Sequence, residues 1–175
     1  RLALCREAGA PCEMIGIDQE STASVKWSVA LEDFDQDGDL DIFTAAGATA
    51  VGAGYPGDLH QLHWNDGTGV FTRHVAGDGD PLGELRLGRG AAFADMDGDL
   101  DVDVVIANAD GSAQLLLNQA ASGYGLIVEL DTLSAGARVT VGGAGGRRTE
   151  QALIGGTYAG SSDPRVHFGL GGACS

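Results

Sequence analysis

Apolar and polar positions alternate along much of the chain with the two-residue period of β-strands. Trp27, Val29 and Leu31 alternate with Lys26, Ser28 and Ala30, which separates two faces of one strand. Ile42-Phe43-Thr44-Ala45-Ala46 is a short apolar run, the pattern of a buried strand, and Gly47 ends it. The stretch HQLHWNDGTGVFTRHV reads as two strands joined by a turn at 65–69. VVIAN at 104–108 and AQLLLN at 113–118 are further short strands. From about Gly123 the texture changes. GLIVEL, ARVTVGG, RTEQALIGG and RVHFGL are expected strands between glycine-rich turns. The linkers 47–54 and 76–83 are expected to be flexible loops. No segment carries the 3.6-residue period of an amphipathic helix, so the expected fold class is all-β.

The strands are organised by an internal repeat. Leu31-Glu32-Asp33-Phe34-Asp35 matches Phe93-Ala94-Asp95-Met96-Asp97, 62 residues on. Asp41-Ile42-Phe43-Thr44-Ala45 matches Asp103-Val104-Val105-Ile106-Ala107 at the same offset. Each copy is strand, acidic loop, strand, and the period suits propeller blades or solenoids. Two such copies give propeller-blade-like or solenoid-like antiparallel repeats, followed by a small C-terminal β domain.

The acidic loops concentrate the chemistry. DFDQDGDLD places Asp33, Asp35, Asp37, Asp39 and Asp41 at alternate positions, and DMDGDLDVD places Asp95, Asp97, Asp99, Asp101 and Asp103 likewise. Alternate carboxylates on a tightly wound loop converge on one point, where they repel one another unless a cation holds them. Hard oxygen donors suit Ca²⁺, which takes 6–8 oxygens; Mg²⁺ fits less well, because it keeps its waters and a strict octahedron. In the first loop, positions 1, 3, 5 and 9 are Asp33, Asp35, Asp37 and Asp41, with Gly38 at position 6 for the sharp turn. Asp39, at position 7, is expected to point outward and offer its carbonyl. In the second loop Asp95, Asp97, Asp99 and Asp103 take the same positions, and Leu100 stands where glycine is expected. Shifting Gly98 into position 6 would put Phe93 at position 1, which cannot ligate. The unshifted register therefore holds, with weaker binding expected. An EF-hand is excluded, because position 12 is Thr44 and the flanks are strands. Two Ca²⁺ ions are the expected cofactors.

Charge narrows the partners. Net charge is −15, but outside the two ladders acids and bases nearly balance, so the acidity is local. No basic face exists for nucleic acid. No apolar run approaches the roughly 18 residues of a membrane span. Cys5, Cys12 and Cys174 are the disulfide candidates. A Cys5–Cys12 bridge would close a small loop, and a bridge from either to Cys174 would tie the termini. Either leaves one thiol over, and a disulfide implies an oxidising compartment. The start of the chain lacks an initiating Met and an intact signal peptide, so a processed product or a fragment is expected.

These residues resemble the FG-GAP/VCBS repeat family over about 25–120. The resemblance implies that each DxDxDGxxD loop joins two strands of a propeller blade and binds calcium. The turn WNDGTGVFT, 64–72, is similar to the one that follows the loop in that family. The segment 136–171 is similar to the UnbV/ASPIC domain, most specifically in SDPRVHFGLG. Together they resemble a secreted protein of the cartilage-acidic-protein type, here a bacterial homologue. The implied division is an N-terminal segment 1–24, repeats at about 25–86 and 87–120, and a truncated UnbV/ASPIC-like domain 121–175. Family propellers use about seven blades. Two cannot close a ring, and open strand edges invite pairing with other chains.

Enzymatic motifs are absent. GlySerSerAsp at 160–163 is not a nucleophile elbow. His60 and His63, three apart on a strand, face opposite sides and do not make a zinc pair. His167 is expected to be structural, and Gly142-Gly143-Ala144-Gly145-Gly146 to be a hairpin turn. The expectation is a non-enzymatic, secreted or cell-surface, calcium-binding module that self-associates or binds another extracellular protein within a scaffold or filament. The alternative is a carbohydrate- or protein-binding adhesion module using Trp27, Tyr55, Trp64 or Tyr158. A calcium-dependent hydrolase ranks last.

Overall fold

The computed structural model describes residues 2–4, 13–15, 24–49, 57–119, 123–131, 135–143 and 146–172. Cys5, Cys12, Cys174 and Tyr55 lie outside the described residues. A short hairpin pairs β1 (Leu2–Leu4) with β2 (Glu13–Ile15). The first repeat is a four-stranded antiparallel sheet in sequential order: β3 (Ser24–Glu32), β4 (Asp41–Ala48), β5 (Gln61–Asn65) and β6 (Phe71–Arg73). The second is three-stranded among the described residues: β7 (Gly88–Ala94), β8 (Asp103–Asn108) and β9 (Gln114–Leu116). Each sheet is a meander in which the acidic loop joins the first two strands. Both repeats are therefore blade-like, and the fold is all-β. The linker 76–83 is less loose than expected. Pro81–Gly83 form a 3₁₀ turn whose first N–H groups are capped by Asp80. At the other linker, β4 runs through Gly47 to Ala48.

The two sheets pack face to face. Phe43, Ala45 and Leu62 of the first meet Ala91, Phe93, Val104 and Ile106 of the second. Phe34 and Val102 come from the acidic loops themselves and plug the end of this core. The rings of Phe34, Phe43 and Phe93 lie 5.7–6.2 Å apart, two pairs meeting edge to face. Burying each such ring stabilises by about 1.5–3 kcal/mol. Small residues let the inner strands approach. A Cβ on Gly47 would stand 2.6 Å from the Gly88 carbonyl oxygen, so the backbones of β4 and β7 touch there.

Strand β3 turns its small residues inward. Ser28 is buried and Ala30 packs on the core, whereas Val29 and Leu31 are 50% and 56% exposed. A bulge between Lys26 and Ser28 shifts the register. The close inter-sheet contact selects the small residues for the inward face.

The C-terminal region has its own small core of Ala152, Val166 and Phe168, with Leu126, Val139 and Val141 around it. β10 (Gly125–Val128) pairs with β15 (Val166–Gly169), and β11 (Arg138–Gly143) with β12 (Gly146–Gln151). β11 and β12 are thus the two arms of a hairpin, and residues 144 and 145 between them lie outside the described residues. A tiny hairpin of β13 (Gly156–Thr157) and β14 (Gly160–Ser161) lies along the second repeat. There Thr157 Oγ1 donates to the Ala91 carbonyl at 2.6 Å, and Asp163 N donates to the Phe93 carbonyl at 2.9 Å. Among the described residues no helix is long and apolar enough to cross a membrane.

Candidate metal centre

Each acidic loop is wound by its own side chains. In loop 1 (33–41), Asp37 N donates to Asp35 Oδ1 and Asp39 N to Asp37 Oδ1. In loop 2 (95–103), Gly98 N and Leu100 N donate to Asp95, Asp99 N to Asp97 and Asp101 N to Asp99. These Asx turns suit a residue type that bonds the backbone two positions on. The backbone is left-handed at positions 4 and 6 of both loops. Gln36 and Gly38 have φ of 59° and 108°, and Gly98 and Leu100 have 86° and 76°. The second loop therefore keeps the register of the first despite Leu100. Each loop places one glycine in the two left-handed slots, at opposite ones.

The winding brings carboxylates 1, 3 and 5 together. One oxygen from each of Asp33, Asp35 and Asp37 lies within 4.8 Å of the others, and the same holds for Asp95, Asp97 and Asp99. At that separation each like-charged pair repels by roughly 1 kcal/mol in water, and about four times that near a protein surface. Asp33 is the sheltered member. It is 4% exposed, and neither of its oxygens has a hydrogen-bond partner. Burial pushes its pKa up to about 7, against the pull of the Arg148 guanidinium and of the Gly38 N–H, which points toward it without closing a hydrogen bond. A buried, under-satisfied carboxylate beside two others is a donor set that suits a hard divalent cation.

The remaining four aspartates are placed differently. Asp41 and Asp103, at position 9, are fully buried. Asp41 accepts from Phe34 N at 3.0 Å and Asn65 N at 2.8 Å. Asp103 accepts from Met96 N at 2.8 Å and Asn118 N at 2.7 Å. Position 9 thus staples the loop entry to the end of the third strand in the first sheet, and to the segment just past it in the second. Burial raises the Asp41 pKa to about 6, although both N–H donors oppose it. Asp39 turns away from the triad toward the Gly67 turn. Asp101 is buried, and accepts from Gln36 Nε2 at 2.6 Å.

Gln36, Asn65, Asn118 and Arg148 are the site residues that sequence reasoning missed. Gln36 is 2% exposed and reaches from loop 1 to both Asp101 and the Leu100 carbonyl. Asn118 Nδ2 donates to the Phe34 carbonyl at 2.6 Å, and Asn65 Nδ2 to the Leu40 carbonyl at 3.1 Å. The repeat alignment sets Asn65 against Asn118, a signal that could have singled them out. Nothing local marks Gln36 or Arg148.

The other candidates are structural in the fold. His60 Nδ1 accepts from Ala46 N, and its Nε2 meets Gln114. His63 pairs across β5 and β6 with Arg73. His167 Nε2 meets the Leu100 carbonyl at 2.8 Å. Trp27 stacks near Tyr158 at 5.2 Å with Arg89 over its ring, and Trp64 packs against the core.

The sequence model of the FG-GAP-like repeat matches residues 33–106, spanning both loops. That of ASPIC and UnbV matches residues 128–174, the C-terminal region. No curated protein and no solved structure matches the chain. FG-GAP repeats are typical of extracellular or surface proteins.

Proposed function

For a chain that joins an FG-GAP-like repeat region to an ASPIC and UnbV region, we propose a calcium-stabilised interaction module that works outside the cell. Each acidic loop holds one Ca²⁺ through carboxylates 1, 3 and 5: Asp33, Asp35 and Asp37 in one, Asp95, Asp97 and Asp99 in the other. The ion neutralises the loop and so steadies the strands that the loop joins. The module is not an enzyme; its partners are other copies of the chain or another extracellular protein, met at open strand edges. Asp33 carries this reading: a carboxylate 4% exposed, without a hydrogen-bond partner and with the Arg148 guanidinium 3.5 Å away as a counter-charge, within 4.8 Å of two others.

Thermal unfolding of chelator-stripped protein, with and without added Ca²⁺, tests it. At a hundredfold excess over Kd a site stabilises by about 2.7 kcal/mol, a rise in Tm of roughly 5–10 °C for a chain this long. Asp37→Ala should remove the share due to loop 1. Identical melting with and without chelator would refute cation binding. Light scattering that reports monomers at micromolar concentration with Ca²⁺ present would refute self-association.

A further inference from the structure

The two loops face different neighbours. Strand β12 carries Arg148, whose Nη1 lies 3.5 Å from Asp33 Oδ2. The same nitrogen donates to the Gly169 carbonyl, which fixes the guanidinium in place. It sits so close over Gly38 that a Cβ there would collide with it. The C-terminal region therefore extends a positive charge onto the wall of the loop-1 triad. Loop 2 is arranged otherwise. Asp95 accepts the backbone N–H groups of Gly98 and Leu100 at 2.7 and 3.2 Å. Arg165, the arginine of the neighbouring turn, is hydrogen-bonded to Asp163 at 2.7 Å, and its attraction to Asp95 is secondary to that pair.

We infer that Arg148 is a built-in competitor for the cation of loop 1, which makes that site weaker than loop 2 and couples cation uptake to the seating of the β11–β12 hairpin. This rests on the loops being cation sites. A divalent ion drawing on Asp33 enters beside a fixed guanidinium, and the two positive charges repel. Asp33 has two oxygens but a single charge, so what it gives to the ion it takes from the arginine. Linkage is reciprocal: if Arg148 weakens the ion, the ion weakens the Arg148–Asp33 pair by the same factor. The hairpin then holds loop 1 less firmly when calcium is bound. The order of affinities runs against the expectation from Leu100, because the backbone at that position is left-handed in both loops.

Calorimetric Ca²⁺ titration of the demetallated chain tests the idea, comparing the native sequence with Arg148→Gln and Arg148→Lys. Asp97→Asn in parallel identifies the loop-2 binding event. In Arg148→Gln the loop-1 Kd should fall roughly three- to tenfold, loop 2 should be unchanged, and Arg148→Lys should stay near the native value. Unchanged or weaker loop-1 binding in Arg148→Gln overturns the competitor role while leaving the calcium reading intact. No Ca²⁺ uptake in the native chain overturns both. Should Arg148→Gln fail to fold, the Arg148 Nε–H resonance of ¹⁵N-labelled native protein, identified by its loss in Arg148→Lys, serves instead. It should shift as loop 1 fills; a resonance unmoved at saturation overturns the inference.

Discussion

Alanine at Gly98 and alanine at Gly38 ask different things of similar backbones. Both glycines are left-handed, with φ of 86° and 108°. A Cβ on Gly98 would enter open space, so only the conformational term of about 1–2 kcal/mol applies. On Gly38 it would also displace the Arg148 guanidinium, and Gly38→Ala should cost about 1 kcal/mol more than Gly98→Ala. Leu100→Gly releases the same conformational strain in loop 2 and should stabilise by up to about 1 kcal/mol. Urea unfolding of the three variants at fixed Ca²⁺ checks the order; equal losses at both glycines would show that Arg148 does not press on Gly38. The residue types in these loops were legible: alternate aspartates at 1, 3 and 5 do converge. The place of the turn was read only in part. A search for glycine at position 6 finds Leu100, whereas the geometry asks for left-handed backbone at positions 4 and 6. A side-chain alphabet does not report φ.

At the level of elements, the sheets were readable and their joints were not. Alternation and turn residues located both hairpins, the buried run of β4, and the change of texture before β10. Those signals act over a few residues. The joint between the repeats depends on Gln36, which donates to the Leu100 carbonyl at 2.9 Å and to Asp101 at 2.6 Å from 64 and 65 residues away. On a sequence it is a polar residue between two aspartates. In the fold it is a buried latch, and its own carbonyl accepts Gly171 N from the C-terminal region at 2.8 Å. Gln36→Ala takes the donor from the buried Asp101 carboxylate and leaves the Leu100 carbonyl to His167 Nε2 alone, and should cost about 1–3 kcal/mol. Gln36→Glu should cost at least as much, because it sets a second carboxylate against Asp101. Denaturant midpoints measure both. A loss under about 0.5 kcal/mol, the range of an ordinary surface change, would show that the loops do not support each other. The same distance argument explains the position-9 aspartates. Asp41 and Asp103 share the spacing of a ligand ladder, yet each staples two elements, because the third strand, or the segment just past it, brings Asn65 N or Asn118 N to its second oxygen.

For the whole molecule, the buried carboxylates set a pH dependence that calcium should weaken. Burial raises Glu32 and Asp33 to about 7, and Asp41 and Asp101 to about 6, above their ordinary values of 3.8 for Asp and 4.5 for Glu. A carboxylate with a raised folded pKa binds its proton more readily in the fold than in the unfolded chain. The cation-free fold therefore carries its full penalty above about pH 7, and sheds it as pH falls through 7 and 6 toward the ordinary carboxylate range. Three histidines oppose this at the acid end. His60, His63 and His167 are lowered from 6.5 by burial, so the unfolded chain protonates them first, and stability is lost below about pH 6.5. The two trends oppose each other below about pH 6.5, but four carboxylates outweigh three histidines there, and the chelated protein should be more stable at pH 6 than at pH 8. Calcium changes the first trend and leaves the second. An ion held by Asp33 favours its ionised form, so protons now compete with the ion for that carboxylate, while Glu32, Asp41 and Asp101 keep their penalty. The gain in Tm on adding Ca²⁺ should then be largest at pH 8 and shrink steadily toward pH 5.5. Melting curves at half-unit intervals, with Ca²⁺ and with chelator, decide the matter. A chelated chain that is most stable at pH 8 would mean that these carboxylates are not penalised in the fold, and the need for a cation at Asp33 would go with it.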